Sequence, residues 1–136
     1  MAKKVKKIKT IKKKAWDMFS LYIRQVSADE HGWVKCYTCD KTGPWRDFQA
    51  GHFVGGRHNA VLFNEECVRV QCVACNIFLR GNYQAYTVRM IDEVGREKVD
   101  ELLNLKYSIK KLNYSDIEEI YENYKTILEA GLCQFM

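Results

Sequence analysis

The sequence predicts an α+β fold in which a zinc-stapled ββα unit is flanked by an N-terminal helix and a helical C-terminal third. Three observations predict it. Two Cys-x-x-Cys pairs, Cys36 with Cys39 and Cys72 with Cys75, bracket a stretch of short apolar runs. Ahead of them Trp16, Phe19, Ile23 and Val26 recur at helical spacing, and behind them three further helical patterns run to the end of the chain. The length, 136 residues, suits one core. We read residues 1–14 as a basic N-terminal tail and 15–136 as a single domain.

Composition narrows the class. The chain is 47% hydrophobic and 29% charged, as soluble globular proteins are. No stretch approaches the roughly 18 apolar residues a membrane span needs, so no membrane partner is expected. Lysines interrupt the apolar run that a signal peptide would require, which points to the cytoplasm. In that reducing compartment the six cysteines should stay out of disulfides. Charge is uneven: residues 1–89 carry 16 basic against 7 acidic side chains, and residues 90–136 carry 6 against 10. Eight lysines fall within the first 14 residues. A polyanion partner on the basic side follows, the plain alternative being a tail that serves only solubility.

Taken in order, Val5, Ile8 and Ile11 stand three apart among the lysines, so this segment is expected to be disordered alone and helical on an anion. A buried-face helix follows over about 15–26. Asp29-Glu30-His31-Gly32 reads as a turn, with no role assigned to His31, and Trp33-Val34 as a short strand leading into Cys36. Lys41-Thr42-Gly43-Pro44 closes the first knuckle, and a strand is expected over 45–53. Gly55-Gly56-Arg57-His58-Asn59 has the composition of an exposed loop, and Val61-Leu62-Phe63 reads as a second short strand. Val68 to Gln71 alternates, a helix starts near Cys72, and Gly81 stops it.

Helices are then expected over 83–94, 96–105 and 115–130. Ser115 and Glu118 hold capping-box spacing, and Gly131 is placed to end the last helix. Its apolar face of Ile117, Ile120, Tyr121, Tyr124 and Leu128 should pack on the zinc unit or on a second copy of the chain, which makes a homodimer one expectation. Trp16, Trp33 and Trp45 read as core, and Cys133 as a small apolar residue.

The chemistry concentrates between the cysteine pairs. A Cys-x-x-Cys turn presents two thiolates to one ion, so Cys36, Cys39, Cys72 and Cys75 make a closed, structural zinc site with no open position for catalysis. His52 follows a glycine at the end of an apolar run, on a segment that such a zinc would hold rigid. Its ordinary pKa suits general-base work on a water. Phosphodiester hydrolysis also needs charge stabilisation, which a divalent ion with oxygen ligands supplies, and Asn76 offers an amide oxygen. The plain alternative has Asn76 capping the second knuckle. Lys12, Lys13, Lys14, Arg57, His58, Arg69 and Arg80 would form a basic track toward His52, making DNA binding steeply salt-dependent.

Asp47-x-x-Ala50-Gly51-His52-Phe53, Leu62-Phe63-Asn64-Glu65, Gln71-Cys72-x-x-Cys75-Asn76, Gly81-Asn82, Tyr86 and Ile91-x-x-x-Gly95-x-Glu97-x-Val99 together resemble the phage lambda NinG/Rap recombination-nuclease family. That family stands among or close to the HNH, or His-Me finger, endonucleases. The resemblance runs from about Trp16 onward and is dense from Cys36 to Val99. It implies a metal-dependent endonuclease acting on branched or recombination-intermediate DNA such as Holliday junctions or D-loops, in a phage-infected bacterial cell. By it His52 is the general base and Asn76 a ligand of catalytic Mg2+ or Mn2+. Cys67 stands where the HNH pattern has an asparagine that holds the base-bearing loop, and Asn64 is grouped with it as support. Gly51 replaces an acidic or histidine ligand found in many HNH enzymes. Longer members carry a further cysteine-bearing N-terminal segment, which the lysine-rich start replaces. The alternative is a zinc-ribbon-like DNA-binding module without catalysis, its site weakened by Cys67 and Gly51.

Overall fold

The computed structural model describes residues 2–132. Cys133 and the side chain of Val5 lie outside the described residues. In chain order the regular elements are α1 (Ala2–Val26), β1 (Trp33–Lys35), β2 (Thr42–Pro44), β3 (Phe48–His52), α2 (Asn59–Leu62), β4 (Val68–Cys72), α3 (Tyr83–Val94), α4 (Arg96–Asn104) and α5 (Tyr114–Ile127). Tight 3-10 turns at Trp45–Asp47 and Glu65–Cys67 lead into β3 and β4, and a π-helical stretch, Ala74–Phe78, follows β4. The fold is α+β, with the strands in two separate antiparallel pairs. β1 lies against β2, and β3 lies against β4 with Phe48 opposite Cys72 and His52 opposite Val68.

The N-terminal helix is the largest departure from expectation. It runs unbroken through the lysines because Ile8, Ile11 and Ala15 share one face and pack on Ile117, Ile120 and Tyr121 of α5. Burial of that stripe stabilises a helix that a solvated lysine run would not hold by itself. One turn on, Phe19 and Ile23 enter the main core with Ala50, Phe53, Val61, Val68, Tyr86 and Met90. Thus α1 is the spine of the molecule, packed on α5 along one side and on β3 along the other. The apolar face of α5 meets α1 and, through Phe63 and a hydrogen bond from Tyr124 OH to Glu65 Oε2 at 2.9 Å, the segment between the two knuckles.

Smaller boundaries moved for local reasons. Val61 and Leu62 belong to the one-turn α2, where both backbone N–H groups donate to His58 O at 2.9 and 2.8 Å. Their apolar character serves burial and not strand pairing. The strand expected from residue 45 begins at Phe48, after the turn that follows Pro44. The capping box of α5 is built two residues earlier than Ser115 and Glu118: Asp116 N donates to Asn113 Oδ1 at 2.9 Å, and Asn113 N donates to Asp116 Oδ2 at 3.0 Å. Gly131 lies inside a π-helical continuation, Leu128–Leu132, instead of ending the helix. Gly95, by contrast, ends α3 with a φ of 90°, a left-handed value that favours glycine. Of the three tryptophans only Trp45 is fully core, and Trp33 is 50% exposed. Among the described residues no helix is long and apolar enough to cross a membrane.

Candidate active site and metal centre

The two knuckles come together at one point. Cys36 and Cys39 flank the β1–β2 turn, where Asp40 takes a φ of 67° and Cys36 N donates to Lys41 O at 2.7 Å. Cys72 ends β4, and Cys75 sits in the π-helical turn after it. All four sulfurs lie within 4.8 Å of one another, with Cys39 Sγ and Cys72 Sγ 3.6 Å apart. A tetrahedral zinc with bonds of about 2.3 Å places its sulfurs about 3.8 Å apart, whereas a disulfide would bring two to about 2.0 Å. The donor set and its spacing therefore fit zinc, and the four cysteines could hold one. Burial works against a thiolate at Cys36, but hydrogen bonds from Thr38 and from backbone groups bring its pKa down to about 6. Cys75 N donates to Cys72 Sγ at 3.4 Å and Asn82 Nδ2 to Cys75 Sγ at 3.6 Å, the outer contacts that steady metal-bound sulfur. Cys67 stays outside this cluster.

Fixing the knuckles fixes β3 and β4, and through them the histidine. Arg89 on α3 holds Asp40 through two hydrogen bonds at 2.8 and 2.9 Å, tying the first knuckle to that helix. Tyr86, one turn earlier and fully buried, donates to Gly51 O at 2.8 Å. His52 then closes β3, and its ring stacks on Trp16 of α1 with centroids 4.9 Å apart. Its Nε2 lies 3.1 Å from Leu62 O. A carbonyl can only accept, so Nε2 carries the proton and Nδ1 is left with the free lone pair. Burial, the largest influence, lowers the pKa of His52 below its ordinary 6.5, the Leu62 contact raises it, and the Arg57 charge lowers it further. Near neutral pH the ring is thus uncharged and able to take a proton.

Cys67 and Asn64 both support this loop, by routes the sequence did not reveal. Phe53 N, directly after the histidine, donates to Cys67 O at 2.7 Å, so the backbone at position 67 makes the brace. The Cys67 thiol is buried in the core, and that burial, reinforced by Glu66, pushes its pKa to about 11. It stays neutral and packs as an apolar group. Asn64 Oδ1 accepts from Glu66 N at 3.0 Å, and Asn64 O accepts from Cys67 N at 2.9 Å, forming the turn into β4.

Asn76 faces the same strands from the π-helical turn. Its Nδ2 donates to Gln49 Oε1 at 2.7 Å, which turns its Oδ1 toward Gly51. A cavity of about 390 Å3 is lined by His52, Arg57, Asn76, Arg80 and Tyr83. A second cleft of about 470 Å3 continues from it over Ala50, Arg57 and Asn76 toward Arg24 and Arg46. Sequence reasoning gave no role to these two arginines, nor to Trp16 in aligning His52. Arg57 reaches the groove with its guanidinium 4.7 Å from the Trp16 ring centre.

The remaining members of the expected basic track divide. His58 is exposed at the start of α2. Lys12 Nζ donates to Asn59 Oδ1 at 2.9 Å, fastening α1 to the first residue of α2. Lys13 pairs with Asp17 at 3.3 Å across one helical turn, and Lys14 lines a separate groove with Lys3, Lys6 and Lys7. Arg69 is turned into the fold. Its Nη1 donates to the carbonyls of Glu65, Glu66 and Val68 at 3.0, 3.1 and 3.0 Å, and its Nη2 pairs with Glu93 at 3.3 Å. It clamps the turn that carries Cys67 and stands apart from the groove.

A family model described as Bacteriophage Lambda NinG protein matches residues 1–131. The protein ninG of Escherichia phage lambda is 32% identical over 91 residues, which is 66% of this chain and 42% of the relative. The ninG protein of Escherichia phage 933W is 31% identical over 91 residues, again 66% of this chain and 43% of the relative. That of Enterobacteria phage H19B is 36% identical over 56 residues, 40% of this chain and 28% of the relative. The chain therefore spans less than half the length of the curated relatives it matches. No solved structure matches it.

Proposed function

The chain belongs to the bacteriophage lambda NinG family, and from that premise we propose that it is an HNH-like, metal-dependent DNA endonuclease acting on branched recombination intermediates. The observation that carries this reading is the cavity in which a neutral, oriented histidine, an amide oxygen and two arginines meet. Arg57 and Arg80 bind phosphate oxygens on either side of the site. Trp16 and Leu62 O hold the His52 ring so that Nδ1 takes a proton from a water attacking the phosphorus. Asn76 would hold Mg2+ or Mn2+, whose chemistry is to stabilise charge on the scissile phosphate and on the leaving 3′ oxygen. The cysteines act only as scaffold. The basic groove past Arg24 and Arg46, together with the separate lysine-lined groove of α1, draws in the polyanion and adds salt-sensitive affinity.

The test is to incubate the zinc-loaded protein with four-way-junction, nicked and linear duplex DNA, with and without Mg2+ or Mn2+. We expect metal-dependent cleavage that is strongest on the junction. Binding to all three without any cleavage would instead establish a zinc-ribbon-like DNA-binding module.

A further inference from the structure

Gln71, the residue before the second knuckle, is fully buried and only half satisfied. Its Nε2 donates to Thr38 Oγ1 and to Gly81 O, each at 3.0 Å. Because Gly81 O can only accept, the nitrogen must face it and the amide cannot be turned over. The Thr38 hydroxyl that accepts from Gln71 also lies 3.4 Å from Cys36 Sγ, to which it donates when that sulfur is a thiolate. Gln71 is thereby strung rigidly between the knuckle and the turn before α3. Its Oε1 points the other way and has no hydrogen-bond partner among the described residues. A buried carbonyl oxygen left without a hydrogen bond is costly, so its position needs a reason.

The second observation is at Gly51. A Cβ there would stand 1.8 Å from Gln71 Oε1 and 3.1 Å from Asn76 Oδ1. Two amide oxygens, one from β4 and one from the π-helical turn, therefore converge over a bare Cα. They lie no farther apart than the sum of those distances, 4.9 Å. The Asn76 oxygen is held there by the bond from its Nδ2 to Gln49. Oxygens on one six-coordinate Mg2+ with bonds of about 2.1 Å lie about 3.0 to 4.2 Å apart, a range inside that upper limit.

We propose that Gln71 Oε1 is a second protein ligand of the divalent cation at Asn76, occupying the space that a side chain at position 51 would fill. The inference rests on the reading that Asn76 holds such an ion. Hard cations prefer oxygen donors, and two neutral amides give weak binding that phosphate oxygens complete. Position 51 must then be glycine, since any Cβ displaces the oxygen.

The experiment is an NMR titration of the zinc-loaded, 15N-labelled chain with Mg2+, following the side-chain amides of Gln71 and Asn76. Both should shift along one saturation curve. In a parallel Mn2+ titration, Gln71→Leu should weaken binding roughly tenfold. Thr38→Val, which removes a partner of the Gln71 nitrogen and the hydroxyl beside Cys36 Sγ but touches neither amide oxygen, should leave Mn2+ affinity nearly unchanged in a chain whose zinc content matches the wild type. If the Asn76 amide moves and the Gln71 amide does not, the inference is overturned while an ion at Asn76 stands. Equal weakening by Thr38→Val overturns it too, since Gln71 would then act only as a strut. If neither amide moves, both ligand assignments fall. The wild-type titration decides the matter even where Gln71→Leu does not fold.

Discussion

The four-cysteine cluster and the His52–Asn76 site share the strands β3 and β4 but are built on opposite terms. At the cluster three of four thiols are buried, N–H groups point at the sulfurs, and no coordination position is left for a substrate. At the histidine site Nδ1 of His52 and Oδ1 of Asn76 are oriented yet have no hydrogen bond among the described residues, beside a groove open to solvent. The first is closed so that the second can stay open. A short β-hairpin is marginal in water, and here the knuckles and the α3 helix supply the rigidity that lets a partly satisfied site persist.

The comparison breaks most severely if the closed centre is opened. Stripping zinc with a chelator, or replacing Cys72 with serine, should cost most of the far-UV helical signal together with any cleavage, because binding of structural zinc contributes roughly 10 kcal/mol or more in small domains. A chelated protein that keeps its fold would remove the scaffold from the account. On the open side, Arg57→Ala and Arg80→Ala should each lower the slope of log affinity against log salt by about 1, with the fold unchanged by circular dichroism. Unchanged slopes would place the phosphate path elsewhere.

A brace between the two regions should give a smaller effect. Tyr86→Phe removes the buried hydrogen bond to Gly51 O and should lower unfolding free energy by about 1–2 kcal/mol, read by urea denaturation. Smaller again is a pH effect. Since the folded pKa of His52 is depressed, the folded chain binds fewer protons than the unfolded chain below pH 6.5. This contribution is full above 6.5 and is lost as pH falls, so His52→Gln should flatten the acid side of the stability curve.

Legibility in the sequence followed the range of the interactions. The cysteine cluster was visible because the Cys-x-x-Cys spacing is a local signal, and α3 because its apolar period and Gly95 are local signals. What decides the candidate site is not local. Trp16 and His52 are brought together by the packing of α1 on β3, and Gln71 meets Gly51 only through strand register. The lysine run became helix because Ile8 and Ile11 found α5 at the far end of the chain. Val61-Leu62-Phe63 misled because three apolar residues in a row carry no period, and burial on a one-turn helix satisfies them as well as a strand would. Cys67 stands where the resemblance expects an asparagine, and a thiol hydrogen-bonds more weakly than an amide. Its backbone carbonyl makes the contact to Phe53 N, so the side chain there matters less than its type suggested.

The central claim is that His52 is the base of a DNA-cleaving site, and imidazole rescue tests it most directly. His52→Ala should reduce Mg2+-dependent cleavage of a four-way junction by about 10²–10⁴-fold while DNA binding persists, and added imidazole should restore part of the rate in proportion to its neutral form. Cleavage by the variant at the wild-type rate, or no cleavage by the wild type, would contradict the account.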